Sequence, residues 1–438
     1  MHINKKTIQV NKYWNLSKNY FQIPKHDIKD VPFWEEYVYK SLKETVDFPV
    51  KRPILSLMSG GLDSTVITSI LLKEFEVPLE ALTIVIPNYN DEEGYKAAEI
   101  AEYLEIPHKI SKARLESIDE LENFYSEAFN LVEEPMGGTA FFSRYFAFKE
   151  VEKTDKQNIL MGDGAGEILS YVRDYLINQF KYINYLYYTP IKLRKNFMKF
   201  IHKFYEPSLK LPLLSKNKNI INSLEILLNT NFLQANSQFQ SLFTSWQWSS
   251  LEDLTTITNH KINLETYLAP IRKNVESYPF KDYNKAGYHF LINAINSDSL
   301  IAHNLSSFFD LKLYSPYISD VAFQKILPLP PYIKTLGDRG KWIVRQVAKK
   351  KKLLPENYFD WKPKYGLRQI FYDNTSFELV KSYVLNLIDS VKGTNFMNIK
   401  PFMKFFNKTT LKRLTTHSSE YMKFNIWLGF LGWLSTIE

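Results

Sequence analysis

A short apolar run, a pair of glycines and a helical pattern follow one another directly in the first part of the chain. Pro53–Met58 is mostly apolar, which is typical of a buried parallel strand. The turn after it reads Ser-Gly-Gly-Leu-Asp-Ser-Thr over residues 59–65. Beyond the turn, one face of a predicted helix carries four apolar residues, Val66, Ile67, Ile70 and Leu71. A strand that passes through a glycine turn into a helix predicts an α/β unit with an anion-binding turn.

The turn at residues 59–65 has the groups that bind phosphate oxygens. The first N–H groups of a helix are unpaired, and the helix dipole places partial positive charge beside them. The two glycines let the backbone approach an anion closely, the hydroxyls of Ser59, Ser64 and Thr65 can donate hydrogen bonds, and Asp63 can hold magnesium. No Gly-Lys-Ser/Thr follows, so the loop is not of the Walker type and favours released pyrophosphate over terminal phosphoryl transfer. The alternative is a tight turn that happens to contain serines.

Further apolar segments alternate with helical patterns. Three of them are predicted strands, over Leu82–Ile86, Pro107–Ile110 and Asn158–Met161. The alternation predicts an α/β fold with a Rossmann-like parallel sheet covered by helices on both faces. We expect a leader over residues 1–30, an α/β nucleotide-binding core over residues 50–170, and a mainly helical substrate-side part over residues 171–438.

The composition excludes several classes of site. The chain has no cysteine, which removes disulfides, thiolate zinc sites and cysteine nucleophiles. The net charge is +8, but the lysine excess is diffuse, so we expect no nucleic-acid partner. The N-terminus lacks the apolar core of a signal peptide, and Phe424–Ile437 is too short to span a bilayer and predicts a packed final helix. We therefore expect a soluble, cytoplasmic protein without a membrane partner.

Residues 59–64 resemble the PP-loop of the ATP pyrophosphatases, whose fold is the adenine nucleotide alpha-hydrolase-like sheet. Seven further segments, in family order, resemble the synthetase domain of asparagine synthetases and of the related β-lactam and lasso-peptide macrolactam synthetases. These segments are Tyr13–Leu16, Asn90–Glu93, Glu133–Pro135, Met161–Glu167, Tyr314–Tyr317, Gly340–Arg345 and Trp361–Gly366. The resemblance implies one domain of this type over residues 31–438.

The resemblance also implies ATP and Mg²⁺ as cofactors and assigns residues to them. The phosphates would be bound by Ser59, Gly60, Gly61, Asp63 and Ser64. Among these five residues, Asp63 would reach the magnesium ion. Adenine would be flanked by Leu57, by Ile84 and by the backbone at Met161 and Gly162.

Two residues are implied in catalysis. Lys364 matches the family lysine that steadies negative charge as pyrophosphate leaves and the tetrahedral intermediate forms, and a fixed cation is well suited to that task. Asp163 occupies the position of the glutamate or tyrosine that helps to deprotonate the attacking amine. Because aspartate is one methylene shorter than glutamate, capping of the following helix is an equally good interpretation of Asp163.

Gly166 departs from the family pattern. The family has an aspartate there, which is the second protein ligand of magnesium, and glycine has no side chain that can coordinate a metal. Three alternatives remain open. Asp163 or Glu167 replaces the missing ligand, Asp63 holds magnesium together with triphosphate oxygens and water, or activity has been lost.

The function implied by the resemblance is ATP-dependent amide formation. A carboxylate on a small molecule or peptide would be adenylated and then attacked by nitrogen, which gives an amide, AMP and pyrophosphate. Glutamine-dependent members begin with a glutaminase domain that uses an N-terminal cysteine, whereas here Tyr13–Trp14 lies near the start and cysteine is absent. The nitrogen would therefore be free ammonia, ammonia from a separate glutaminase, or an amine. A catalytically degenerate nucleotide-binding or scaffold protein and a tRNA-modifying PP-loop enzyme are the alternative interpretations.

Overall fold

The computed structural model describes residues 2–3, 8–9, 26, 30–46, 53–86, 91–113, 117–131, 141–169, 300–329, 334, 341–361, 374–391, 398–416 and 418–437. Most of the predicted leader and a large part of the predicted helical half lie outside these ranges. Four features named from the sequence also lie outside them. They are Tyr13–Leu16, Glu133–Pro135, Lys364 and the side chain of Glu167.

Five parallel strands form the central sheet, after a short antiparallel pair made of β1 (His2–Ile3) and β2 (Ile8–Gln9). In chain order the five strands are β3 (Ile54–Leu57), β4 (Leu79–Val85), β5 (His108–Lys112), β6 (Asn158–Leu160) and β7 (Lys312–Tyr314). Across the sheet their order is β5-β4-β3-β6-β7. Ser56 of β3 pairs in register with Ala81 of β4 and with Leu160 of β6. The predicted parallel α/β sheet is therefore confirmed.

Helices cover both faces of this sheet. In chain order the described α-helices are α1 (Val31–Thr45), α2 (Leu62–Phe75), α3 (Asp91–Tyr103), α4 (Ile118–Asn130), α5 (Phe141–Glu152), α6 (Ala165–Leu169), α7 (Leu300–Phe308), α8 (Trp342–Lys350), α9 (Asn374–Ser390), α10 (Ile399–Lys408), α11 (Leu411–Thr416) and α12 (Ser418–Ile437). Helices α1, α2, α3 and α8 share one apolar core. Helices α4, α5, α9, α10 and α12 share a second core, on the opposite face.

Successive strand residues enter the two cores alternately. In β3, Ile54 belongs to the core of α1, α2, α3 and α8, whereas Leu55 belongs to the other. Ala81 and Leu82 of β4 divide in the same way. Because both faces of a covered parallel sheet are buried, its strands are nearly continuous apolar runs, which is why β3 and β4 could be predicted from the sequence.

Strand β7 was not predicted. It joins the sheet through β6, where the Lys312 N–H donates to the Gln157 carbonyl at 2.7 Å and the Met161 N–H donates to the Tyr314 carbonyl at 2.9 Å. Its sequence, Lys-Leu-Tyr, is too short to show a strand period. The sheet is therefore completed by residues far beyond the region in which strands are evident from the sequence.

The last helix, α12, packs into the interior. Its Trp427 and Leu431 are almost completely buried, which agrees with the prediction of a packed final helix from Phe424–Ile437. Within the described ranges, no helix combines the length and apolarity needed to cross a membrane.

Candidate functional site

Two loops that contain glycine meet at the carboxyl ends of β3 and β6, which are neighbours in the centre of the sheet. Residues 58–61 connect β3 to α2, and residues 161–164 connect β6 to α6. The direction in which strands are added to the sheet reverses between β3 and β6. In open α/β sheets, ligands bind in the crevice at this position, so the two loops define the candidate site.

The loop after β3 presents the start of α2 without a capping side chain. Gly61 is the N-cap residue, with φ −72° and ψ 157°, and it has no side chain that could cap the first N–H groups of α2. The Ser59 hydroxyl accepts a hydrogen bond from the Gly61 N–H at 3.3 Å, and the Ser64 hydroxyl accepts one from the Ser59 N–H at 3.3 Å. These contacts shape the turn, while the first N–H groups of α2 form a helix end that favours an anion.

Gly60 is the point at which helix α3 packs against this loop. Its φ of +71° lies in the left-handed region that favours glycine. A Cβ at Gly60 would lie 2.8 Å from the backbone oxygen of Glu93 and 3.2 Å from the backbone nitrogen of Ala97, both in α3. Glycine is required here so that α3 can approach the loop, which differs from the expected role of opening the turn to phosphate. At Gly61, an added Cβ would meet only the Ser59 hydroxyl, at 3.1 Å.

Gly162 joins the second loop to the first turn of α2. A Cβ at Gly162 would lie 2.6 Å from the backbone nitrogen of Ser64 and 3.0 Å from the Cβ of Asp63. Such distances are shorter than real Cβ contacts, so only glycine fits at this position. Asp63 consequently lies where the second loop touches the first turn of α2.

The two carboxylate oxygens of Asp63 have different surroundings. Oδ2 accepts a hydrogen bond from the ammonium group of Lys341, the residue that immediately precedes α8. Oδ1 is buried and has no hydrogen-bond partner in the described part of the chain. Magnesium binds hard oxygen ligands, uses few protein groups and keeps several waters, so the unsatisfied Oδ1 fits such an ion.

Asp163, in the second loop, is also paired with a cation. Its Oδ2 accepts a hydrogen bond from Nη2 of Arg144 in α5 at 2.8 Å, and the Arg144 side chain is only 10% exposed. Partial burial lowers the pKa of His303 in α7, and the negative charge of the nearby Asp163 carboxylate opposes that shift. The Arg144–Asp163 pair thus fixes one edge of the crevice to α5.

We expect the Arg144–Asp163 pair to stabilise the fold cooperatively. In a double-mutant cycle with Arg144→Gln and Asp163→Asn, the free energies of unfolding in urea should show a coupling of about 1–2 kcal/mol, because the pair is largely buried. The pair Lys149–Glu127, also from α5, is more exposed and should couple by less than about 1 kcal/mol. Additive effects at Arg144 and Asp163 would contradict a structural pair.

Three apolar residues of the predicted adenine site lie at or near the carboxyl ends of neighbouring strands. Leu57 ends β3, Ile84 lies near the end of β4, and Met161 follows β6. All three belong to or pack against the core on the face of α4 and α5. Leu57 and Ile84, whose side chains are expected to flank adenine, therefore lie on the same face of the sheet, and the backbone at Met161 and Gly162 follows the neighbouring strand β6.

Two buried tyrosines lie close to Asp63. Burial raises the pKa of the Tyr317 phenol, and the negative charge of Asp63 adds to that shift. Burial likewise raises the pKa of Tyr358, against the opposing effects of the Arg345 charge and a hydrogen bond with Thr65. Both hydroxyls are therefore protonated at neutral pH and can donate hydrogen bonds.

The asparagine synthase family model matches residues 38–435, which is most of the chain. The chain belongs to the asparagine synthase family. Among curated proteins, none matches the chain at a significant level. Membership of the asparagine synthase family indicates ATP-dependent formation of carbon–nitrogen bonds, with ATP typically accompanied by Mg²⁺.

Of the residues expected from the sequence to bind magnesium, Asp63 has a buried carboxylate oxygen without a hydrogen-bond partner in the described ranges. No group of three or more His, Asp or Glu side chains within the described ranges is arranged to hold a metal. Asp163 is paired with Arg144, and an added Cβ at Gly166 would meet no atom within 4 Å. This arrangement favours a cation held by Asp63 together with nucleotide oxygens and water.

Three residues of this asparagine synthase family site were not predicted as site residues. Lys341 lies in a segment that resembles the family, but its contact with Asp63 spans 278 positions of sequence. Arg144 lies in a helix that is apolar on most sides, and Tyr317 is one of 28 tyrosines. Lys341 and Tyr317 lie in segments that resemble the family, which was the available signal, whereas Arg144 has no such signal; the contacts of all three join distant segments.

Proposed function

We propose that this asparagine synthase family protein uses ATP to adenylate a carboxylate and then transfers ammonia or an amine to it, with release of AMP and pyrophosphate. One observation carries the proposal: Oδ1 of Asp63, which has no hydrogen-bond partner in the described ranges, lies where the second loop touches the N-terminal end of α2. A cation ligand next to an anion-binding helix end is the combination that a magnesium nucleotide requires.

ATP would lie across the carboxyl ends of β3, β4 and β6. The triphosphate would accept hydrogen bonds from the backbone over residues 59–64 and from the hydroxyls of Ser59 and Ser64. The adenine ring would pack against Leu57 and Ile84, with backbone groups at Met161 and Gly162 at its edge. Their common position at one end of the sheet supports this pose.

Asp63 would hold magnesium through Oδ1. Bound there, the ion would offset the charge of the triphosphate and make its α-phosphorus more open to attack. The Lys341 ammonium, paired with Oδ2, keeps the carboxylate oriented and adds positive charge beside the phosphate site. The sequence also suggests Glu167 as a metal ligand, and its side chain is not among those that the structure describes.

The reaction has two steps. A substrate carboxylate oxygen attacks the α-phosphorus, the bond to the bridging oxygen breaks, and pyrophosphate leaves. Nitrogen then attacks the acyl carbon, loses a proton and displaces AMP. Arg144 donates a hydrogen bond to Oδ2 of Asp163. Oδ1 of Asp163 is therefore the oxygen that would accept the proton of the attacking amine.

Lys364 is proposed to stabilise negative charge as pyrophosphate leaves. Replacement by methionine, which keeps the length but removes the charge, should lower the turnover number by about 100-fold with little change in the KM for ATP. Steady-state kinetics measure both constants. Lys349→Met, on the exposed end of α8, is the matched control and should behave as wild type. An unchanged turnover number in Lys364→Met would remove this lysine from the mechanism.

The carboxylate substrate is proposed to be a small molecule or a peptide. This chain supplies no cysteine to release ammonia from glutamine, so nitrogen would come from free ammonia, from a separate glutaminase or from an amine group of the substrate.

Exchange of labelled pyrophosphate into ATP tests the proposal. We expect exchange that depends on Mg²⁺ and on one class of carboxylate when amino acids, sugar acids and peptides are screened. Hydroxylamine added in place of the amine should trap the acyl-adenylate as a hydroxamate. Tight nucleotide binding without exchange for any carboxylate would refute the ligase.

One observation favours a second candidate function, a nucleotide-binding or scaffold protein without catalysis. Position 166 carries glycine where the family resemblance implies a magnesium ligand. In that case Asp63→Ala would leave the cellular role of the protein intact, whereas an active ligase would lose it.

A further inference from the structure

Two oxygen atoms at the site are buried without a hydrogen-bond partner. They are Oδ1 of Asp63 and the hydroxyl of Tyr317, and neither has a partner in the described ranges. Tyr317 is 0% exposed, so bulk water does not reach its side chain. Leaving a buried polar group unpaired costs about 1–3 kcal/mol, so each of these atoms calls for an explanation.

Oδ1 of Asp63 and the hydroxyl of Tyr317 belong to residues that lie on either side of the second loop. Gly162 packs against Asp63, and two residues later Gly164 packs against the segment that contains Tyr317. A Cβ at Gly164, whose φ is +87°, would lie 2.6 Å from Ile318 Cγ1 and 3.4 Å from the backbone carbon of Tyr317. The loop at residues 161–164 is therefore held between Asp63 and Tyr317, and the effect of the Asp63 charge on the Tyr317 pKa agrees with this closeness.

Within the described ranges, no group of three or more His, Asp or Glu side chains is arranged to hold a metal. Asp163, which lies between the two glycines, is already paired with Arg144. Gly166, one turn further, has no side chain, and no atom of the described residues lies within 4 Å of a Cβ added there. A protonated phenol cannot replace a carboxylate as a ligand, but it can hold a water molecule that belongs to the hydration shell of a cation.

We propose that Tyr317 is a positioning residue for the cation that accompanies ATP, and that its hydroxyl holds a water of hydration beside Asp63. The proposal rests on the proposed ATP-dependent function. It explains both orphan oxygens at once, since Asp63 Oδ1 would face the cation and the Tyr317 hydroxyl would face its water. It also explains how a site with glycine at position 166 retains a cation.

The first test compares Tyr317→Phe with wild type by electron paramagnetic resonance, with Mn²⁺ as the probe and a non-hydrolysable ATP analogue present. Loss of one hydrogen bond to a strongly polarised water should weaken Mn²⁺ binding by about tenfold. Tyr383→Phe, which removes another buried hydroxyl from α9, should bind Mn²⁺ as wild type does. Equal Mn²⁺ affinity in Tyr317→Phe and wild type, or no Mn²⁺ binding by wild type, overturns the proposal.

Thermal unfolding without nucleotide or metal separates this role from a structural one. Because the hydroxyl has no partner among the residues that the structure describes, Tyr317→Phe should unfold at the same temperature as wild type or slightly higher. A clear loss of stability in the absence of ligand would assign the hydroxyl to the fold and would overturn the proposal.

A gain-of-function variant completes the test. Gly166→Asp adds a carboxylate in open space, so in the Tyr317→Phe background it should restore Mn²⁺ affinity, whereas the uncharged Gly166→Asn should not. Equal affinities in the two variants would place the cation elsewhere and overturn the proposal. These measurements do not require turnover, so an absence of pyrophosphate exchange would refute the ligase function without altering the result for Tyr317.

Discussion

Asp63→Asn should abolish adenylation while leaving the protein folded. The substitution keeps the shape of the side chain but removes the charge that would attract magnesium, and several kcal/mol of transition-state stabilisation depend on a positioned cation. We therefore expect pyrophosphate exchange to fall by about 100-fold or more. Calorimetric titration with ATP should show that the variant loses the gain in affinity that Mg²⁺ gives to wild type.

Asp119→Asn is the matched control. Asp119 is the second residue of α4, as Asp63 is the second residue of α2, so both variants lose the same favourable interaction of an acidic residue with a helix N-terminus. Asp119 is exposed and lies on a helix that does not start at the candidate site. If Asp63→Asn retained Mg²⁺-dependent affinity for ATP, the assignment of Asp63 to the metal would be wrong.

Gly162→Ala should damage both the fold and the nucleotide site. The added methyl group would lie 2.6 Å from the backbone nitrogen of Ser64, and backbone atoms cannot move aside as a flexible side chain can. Overpacking of this kind costs about 1–3 kcal/mol, which urea unfolding would detect. Because relief requires the first turn of α2 to move away from the second loop, we expect ATP affinity to fall by about tenfold or more in calorimetric titrations.

Gly166→Ala separates this steric effect from a general effect of alanine. Gly166 lies four residues further along, in α6, and an added Cβ meets open space there. Alanine is also the better helix former, by up to about 1 kcal/mol, so this variant should be as stable as wild type or more so. Similar losses in Gly162→Ala and Gly166→Ala would contradict the close contact between the loops.

The centre of the sheet could be predicted from the sequence because its signals are local. Strand β3, the loop at residues 58–61 and helix α2 are contiguous, so one apolar run, two glycines and one helical period define them. Strand β6 and the loop after it have the same character. The resemblance to the family added roles for Asp63 and Asp163, and the structure places Asp63, in the first turn of α2, against the loop that contains Asp163.

The contacts that these residues make could not be predicted in the same way. Position 60 requires glycine because α3 packs closely against it. Position 162 requires glycine because it is in contact with Asp63 and Ser64. Neither neighbour is adjacent in sequence, so the Gly-Gly pair alone suggests an open turn. Strand β7 could not be predicted for a related reason, because its three residues become a strand only by pairing with β6.

The sequence by itself determined that the chain has a parallel α/β sheet with a glycine turn after its first buried strand, because residue type and spacing over a few positions carry that information. Only the tertiary structure decided what surrounds the turn: Lys341 on Asp63, Arg144 on Asp163, and the buried hydroxyl of Tyr317, which has no partner in the described ranges. Charge pairing and desolvation depend on distance in space, and residues that lie far apart along the chain come within that distance only after folding.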